Sequence, residues 1–175
     1  MIQRAVEILV TNHDSLRAQF ACDESGEWQQ TFADPRTPSV ETVDLSDTPP
    51  EEQSAAIEQS SAEWQTSLDI AEGPMFRFVH FVLGGKEPAR LLIAVHHLAI
   101  DGVSWRVLIG DMELLFRQLG GGKEAVLPPK TASMRQWTER LATHAQSSEA
   151  GEELNYWQSK LAPLPNTLLA AESDP

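Results

Sequence analysis

Arg90 to Gly122 reads RLLIAVHHLAIDGVSWRVLIGDMELLFRQLGGG, and its pattern changes midway. From Arg90 to His97 the run is nearly all apolar (Leu91, Leu92, Ile93, Ala94, Val95), which predicts a strand covered on both faces. Asp101-Gly102 marks a turn. Beyond it Trp105, Leu108, Ile109, Met112, Leu115, Phe116 and Leu119 recur at helical spacing, and Gly120-Gly121-Gly122 stops the helix. A strand, a turn and an amphipathic helix in succession point to a layered α/β or α+β fold.

Working outward, Met75 to Leu83 also reads as a strand, and Gly84 to Pro88 as the hairpin connection between the two. Upstream of it, Pro50 suits a first helical position, with Thr48 or Pro49 just outside and Ile57, Ser61, Trp64 and Leu68 as the inner face. Residues 34–50 form a proline-punctuated loop with a short extended piece near Val40–Val43. Leu16 to Ala21 alternates and, with the turn at Asp23 to Gly26 and the run Trp28 to Phe32, predicts a hairpin. The chain opens inside a helix striped by Ile2, Ala5, Val6, Leu9 and Val10, and this uncapped start leads us to expect further sequence upstream. Downstream, helices are expected over about Ser133–Gln146 (Met134, Trp137, Leu141) and Glu152–Leu161 (Leu154, Trp157). The tail from Ala162 to Pro175 has no periodicity, and the chain shows no internal repeat.

Charge narrows the function. Thirteen basic against 26 acidic side chains leave −13, a field that repels nucleic acid and anionic membrane surfaces alike. A lone cysteine, Cys22, cannot form an internal disulfide, and no apolar run reaches membrane-spanning length; a cytoplasmic location is expected.

His96 and His97 end the apolar strand. On a regular strand adjacent side chains point to opposite faces, so both rings cannot reach one centre, and a metal site is not expected. Two readings stay open: a pair of hydrogen-bonded core histidines, or one ring serving as a general base in a cleft at the strand's end. Gly102 before the helix, and the helix start itself, favour the second. His13 and His144 lie at helix ends and are expected to cap or to be solvated, and the tryptophans to be core or interface aromatics.

His96-His97-Leu98-Ala99-Ile100-Asp101-Gly102 resembles the HHxxxDG signature of the condensation superfamily of nonribosomal peptide synthetases, shared with their epimerization domains and related to chloramphenicol acetyltransferase. Four further stretches resemble the family in the right order: His13-Asp14-Ser15-Leu16-Arg17 with Phe20; Leu68 to Pro74; Leu127-Pro128-Pro129-Lys130-Thr131 with Trp137; and Tyr156-Trp157. Val103-Ser104-Trp105-Arg106 and the Leu-Pro-Pro-Lys-Thr segment resemble the epimerization branch.

The resemblance implies a chloramphenicol-acetyltransferase-like two-layer lobe, a mixed sheet packed by helices, and the N-terminal lobe of a two-lobed domain. Residues 1–162 would be that partial lobe, lacking its opening strand, and 163–175 a linker or truncated tail towards the C-terminal lobe. The resemblance assigns catalysis to His97, with His96, Asp101, Gly102 and Arg17 supporting, Ser104 and Trp105 lining the channel, and no metal. Asp101 would pair with Arg17 in a structural ion pair. The implied reaction is L-to-D epimerization of an aminoacyl or peptidyl thioester by α-proton exchange. The alternatives are amide-forming condensation, or a non-catalytic lobe that docks a carrier protein. No cofactor would be bound by the domain itself; the substrate would arrive on the 4'-phosphopantetheine of a carrier protein. The partners would be that carrier, the C-terminal lobe with its second acid/base glutamate, and the adjacent synthetase domains.

Overall fold

The structure is a computed structural model and describes residues 1–35, 37–85 and 87–162. The chain forms two compact units, Met1–Lys130 and Thr131–Pro175.

In the first unit, α1 (Ile2–Asn12) runs into a single 3-10 turn (Asp14–Arg17) and a hairpin of β1 (Ala18–Cys22) and β2 (Trp28–Phe32). The register follows the alternation, with Ala18 opposite Phe32 and Cys22 opposite Trp28. A second sheet joins β3 (Glu41–Asp44), β4 (Phe76–Val82) and β5 (Arg90–Val95) in that order. β3 lies parallel to β4 through the crossover helix α2 (Pro50–Thr66), and β4 lies antiparallel to β5, so the sheet is mixed. α3 (Ser104–Gly120) completes the unit. The expected mixed α/β lobe, with a mixed sheet packed by helices, is what the chain forms.

β4 organises the packing because its side chains alternate between faces. Phe76 and Phe78 join Ala5, Val6, Leu9 and Val10 of α1 and Leu108, Met112 and Leu115 of α3 in one buried cluster. Val79 and Phe81, with Leu83 beyond the strand, form a second cluster against Ile57 and Trp64 of α2. Phe76 and Phe78 meet edge-to-face at 5.5 Å between ring centroids. Ile109, placed by periodicity on the inner face of α3, is exposed instead, at the border of the stripe.

α2 carries a polar anchor within this packing. Gln53 is only 8% exposed, and its side-chain amide donates to the carbonyls of Leu45 (3.2 Å), Thr48 (3.1 Å) and Leu83 (2.9 Å). Three chain segments therefore meet on one Nε2. Close by, Gly84 has φ +76, and a Cβ built on it would lie 2.8 Å from Ser46 Cβ and 2.9 Å from Ser46 Cα. Only glycine suits that backbone and that approach.

β5 departs from expectation. It is the outer strand of its sheet and only partly buried, with Leu91, Ile93 and Val95 towards the first cluster and Leu92 towards the second. It also ends at Val95, two residues earlier than the apolar run predicts.

The second unit contains α4 (Met134–Ala145) and α5 (Ser148–Leu161). A capping box starts α4: Ser133 Oγ accepts from Gln136 N–H at 3.2 Å while the Gln136 side chain accepts from Ser133 N–H at 2.9 Å. Ser147 Oγ caps α5 by accepting from Ala150 N–H at 3.2 Å. Met134, Trp137, Leu141, Leu154, Trp157 and Leu161 are all exposed. The expected linker over 163–175 lies outside the described residues. Among the described residues no helix is long and apolar enough to cross a membrane.

Candidate functional site

The segment between β5 and α3 is a turn, not a strand end. His96 N–H still continues the ladder, donating to Met75 O at 2.8 Å. The His96 carbonyl then leaves the sheet and accepts from Ala99 N–H at 2.9 Å, closing the four residues His96–Ala99. This replaces the opposite-faces argument made for a regular strand: His97 lies at the second position of the turn and is exposed, whereas His96 is half-buried. Ile100, at 6% exposure, anchors the far side of the turn in the first cluster.

Asp101 then starts the helix. Its Oδ1 accepts from Ser104 N–H at 2.7 Å, and its carbonyl accepts from Trp105 N–H at 3.1 Å. The Ser104 hydroxyl and backbone N–H together hold the Asp101 carboxyl below the usual carboxylate range. Trp105 is half-buried against the first cluster. Gly102 has nothing within 4 Å of where a Cβ would stand, so this glycine leaves open space beside the helix start. Leu98, Val103 and Val107 are exposed around the same loop.

The expected pair of Asp101 with Arg17 is not formed. Arg17 is claimed nearer home: Nη2 bonds Asp14 Oδ1 at 2.5 Å, Nε donates to Val10 O at 3.1 Å, and Nη1 donates to Ala33 O. A guanidinium with partners on α1, on its own 3-10 turn and at the exit of β2 is a local staple for the hairpin. Asp14 also takes Lys130 Nζ at 2.6 Å, joining two of the family-like stretches across 116 residues of sequence. Burial pushes the Asp14 carboxyl up, but Lys130 and then Arg17 outweigh it, and the net shift is downward.

His13 is likewise not a solvated helix end: its Nε2 lies 2.8 Å from Asp111 Oδ2, linking the end of α1 to the middle of α3. Sequence reasoning missed the pairings of Asp14 with Lys130 and of His13 with Asp111; Asp14 and Lys130 lie inside two of the family-like stretches, which was the available signal for the first.

A profile of the condensation domain matches residues 1–175. A linear gramicidin synthase of Brevibacillus parabrevis is 40% identical over 157 residues, covering 89% of this chain and 3% of that protein. Chondramide synthase of Chondromyces crocatus is 37% identical over 167 residues, 93% of this chain and 4% of that protein. Among solved structures, the epimerization domain from the third module of tyrocidine synthetase B superimposes with a TM-score of 0.81 at 31% identity. That match covers 94% of this chain and 37% of the solved one, which corresponds to one lobe. The starter condensation domain of rhizomide synthetase gives a TM-score of 0.73 at 22% identity over 94% of this chain and 39% of that one, a likeness of fold. With its whole length matched by the condensation-domain profile and its lobe folded like these domains, the chain belongs to the condensation-domain family of nonribosomal peptide synthetases.

Proposed function

We propose that this chain is part of an epimerization domain and that His97 exchanges the α-proton of an aminoacyl or peptidyl thioester. The likeness that carries the reading is the one to an epimerization domain, at 31% identity and a TM-score of 0.81. Val103-Ser104-Trp105 after the Asp-Gly supports the same branch. An exposed imidazole, with open space at Gly102 further along the same loop, suits proton transfer.

The chemistry follows from the thioester, which acidifies its α-carbon. His97 takes the α-proton, an enolate forms, and a proton returns to the opposite face from a second acid, a glutamate of the C-terminal lobe. The substrate arrives on the 4'-phosphopantetheine of a carrier protein in the cytoplasm. The domain itself binds no cofactor.

The test is deuterium wash-in. The synthetase that carries this chain is loaded with an L-aminoacyl thioester in heavy water, and the product is weighed. A gain of about one mass unit per exchanged α-proton, lost in His97→Ala, is expected. No gain, together with a new amide once an acceptor carrier is added, would move the assignment to condensation.

A further inference from the structure

We infer that the outer edge of β2 is a pairing surface for a second copy of this chain, the two β2 strands joining antiparallel about Gln30. β1 and β2 form a two-stranded sheet of their own, and β2 is exposed at every position. A hairpin alone is marginally stable in water, and an edge left open on it is a template for a further strand. The register says which groups that edge offers. Asp23 N–H donates to Glu27 O at 3.0 Å and Ala33 N–H to Arg17 O at 2.9 Å, at the two ends of the ladder. Bonded pairs alternate along an antiparallel ladder, so Gln19–Thr31 and Ala21–Gln29 bond inward. The pairs Ala18–Phe32, Phe20–Gln30 and Cys22–Trp28 turn their backbone groups outward. On the β1 side a neighbouring segment closes the edge: Phe20 N–H donates to Ile70 O at 2.7 Å, and Gln19 Nε2 donates to Glu72 O at 3.1 Å. On the β2 side, among the described residues, the outward groups of Trp28, Gln30 and Phe32 have no backbone partner.

This edge is complementary to itself. Turned about Gln30, a second β2 sets Gln30 against Gln30, Trp28 against Phe32 and Phe32 against Trp28, with each outward N–H facing an outward C=O. The three side chains share one face of the hairpin. Trp28 is 61% exposed and Phe32 38%, and aromatics opposed across two strands are favourable pairs. Charge selects the same place. The chain carries −13, yet Trp28 to Ala33 holds neither a charge nor a proline, the devices that blunt an edge strand. Two copies of so acidic a chain repel least where they meet along an uncharged run. The contact is two-fold and uses the same patch on both copies, so it closes at a dimer.

Sedimentation of the full 175-residue chain over a concentration series is the test, and a monomer–dimer equilibrium is expected. Gln30→Pro removes one outward donor per copy and no bond to β1, at a position where an edge strand tolerates proline. Losing two donors at the two-fold should weaken the dimer roughly 30-fold. Trp28→Lys and Phe32→Glu should each weaken it alone. Mixed together, the two variant chains should form a heterodimer, because the register sets each substituted side chain against the other. Gln29→Lys, on the opposite face, should leave association unchanged. Circular dichroism of each variant checks that the fold is kept; should Gln30→Pro disturb β2, the mixed pair still decides. A wild-type chain that stays monomeric at about 0.1 mM would overturn the inference. So would a dimer that Gln30→Pro and Trp28→Lys both leave intact, since it would lie on another surface. Charged variants that dissociate singly and stay apart when mixed would overturn the pairing about Gln30.

Discussion

Gln53→Met is the most informative change to the fold, because it keeps the side chain's length and removes its amide. Nε2 carries two protons and faces three carbonyls, those of Leu45, Thr48 and Leu83. Leu45 O also accepts from Thr48 N–H at 3.0 Å, so the loss bears mostly on the other two carbonyls. Two net hydrogen bonds at about 1 kcal/mol each, plus part of the cost of a carbonyl left dry, give a destabilisation of about 2–3 kcal/mol. For a unit of this size that lowers Tm by roughly 6–15 °C, read by circular dichroism or calorimetry. Gln53→Glu should be worse at neutral pH, since a carboxylate would face carbonyl oxygens with no donor to offer. Its folded-state pKa would be raised, so the variant is least destabilised below the unfolded glutamate pKa of about 4.3 and loses stability as pH rises through the folded value. A Gln53→Met variant melting within about 1 °C of wild type would refute the reasoning, because solvent would then be replacing the amide. A Gln53→Glu variant with the wild-type pH profile would refute it independently.

Asp14 should govern part of the acid limb. Its carboxyl is held below the usual range, so its contribution is present above the unfolded aspartate pKa of about 3.9 and is lost as pH falls through the folded value. Asp14→Asn should therefore lower Tm at pH 7 and leave it nearly unchanged at the acid end; equal losses at both would contradict the pairing with Lys130 and Arg17. Asp101→Ala should lower Tm through the start of α3, and α-proton exchange should decline in step with folding. Unchanged melting with abolished exchange would instead assign Asp101 a direct role in the chemistry.

Elements built on periodicity were legible before any coordinates. The stripes of α1 and α3 and the alternation of the β1–β2 hairpin report local geometry; burial follows the helical stripes, whereas β2 is exposed along its whole length. The site was legible only in part: HHxxxDG located the loop, but not the turn that separates the two rings. An apolar run says nothing about where a carbonyl swings out of a sheet, and that swing sets which histidine is exposed. Polar anchoring was less legible still. Gln53 sits in a helix whose first turns read as surface, and Asp14 meets Lys130 across 116 residues of sequence. Such pairs depend on tertiary proximity, on which hydropathy is silent. The Asp101–Arg17 pair failed for a related reason: a long cation is taken by the nearest carboxylate and free carbonyls first.

The close approach of Gly84 to Ser46 bears on how this sequence can drift. Two loops 38 positions apart touch backbone against side chain with no room for a methyl group. A substitution at 84 would have to be answered by a retreat of the loop around 46, and that loop also holds two of the Gln53 acceptors, Leu45 and Thr48. Substitutions at 46, 53 and 84 should therefore be non-additive in their effect on stability.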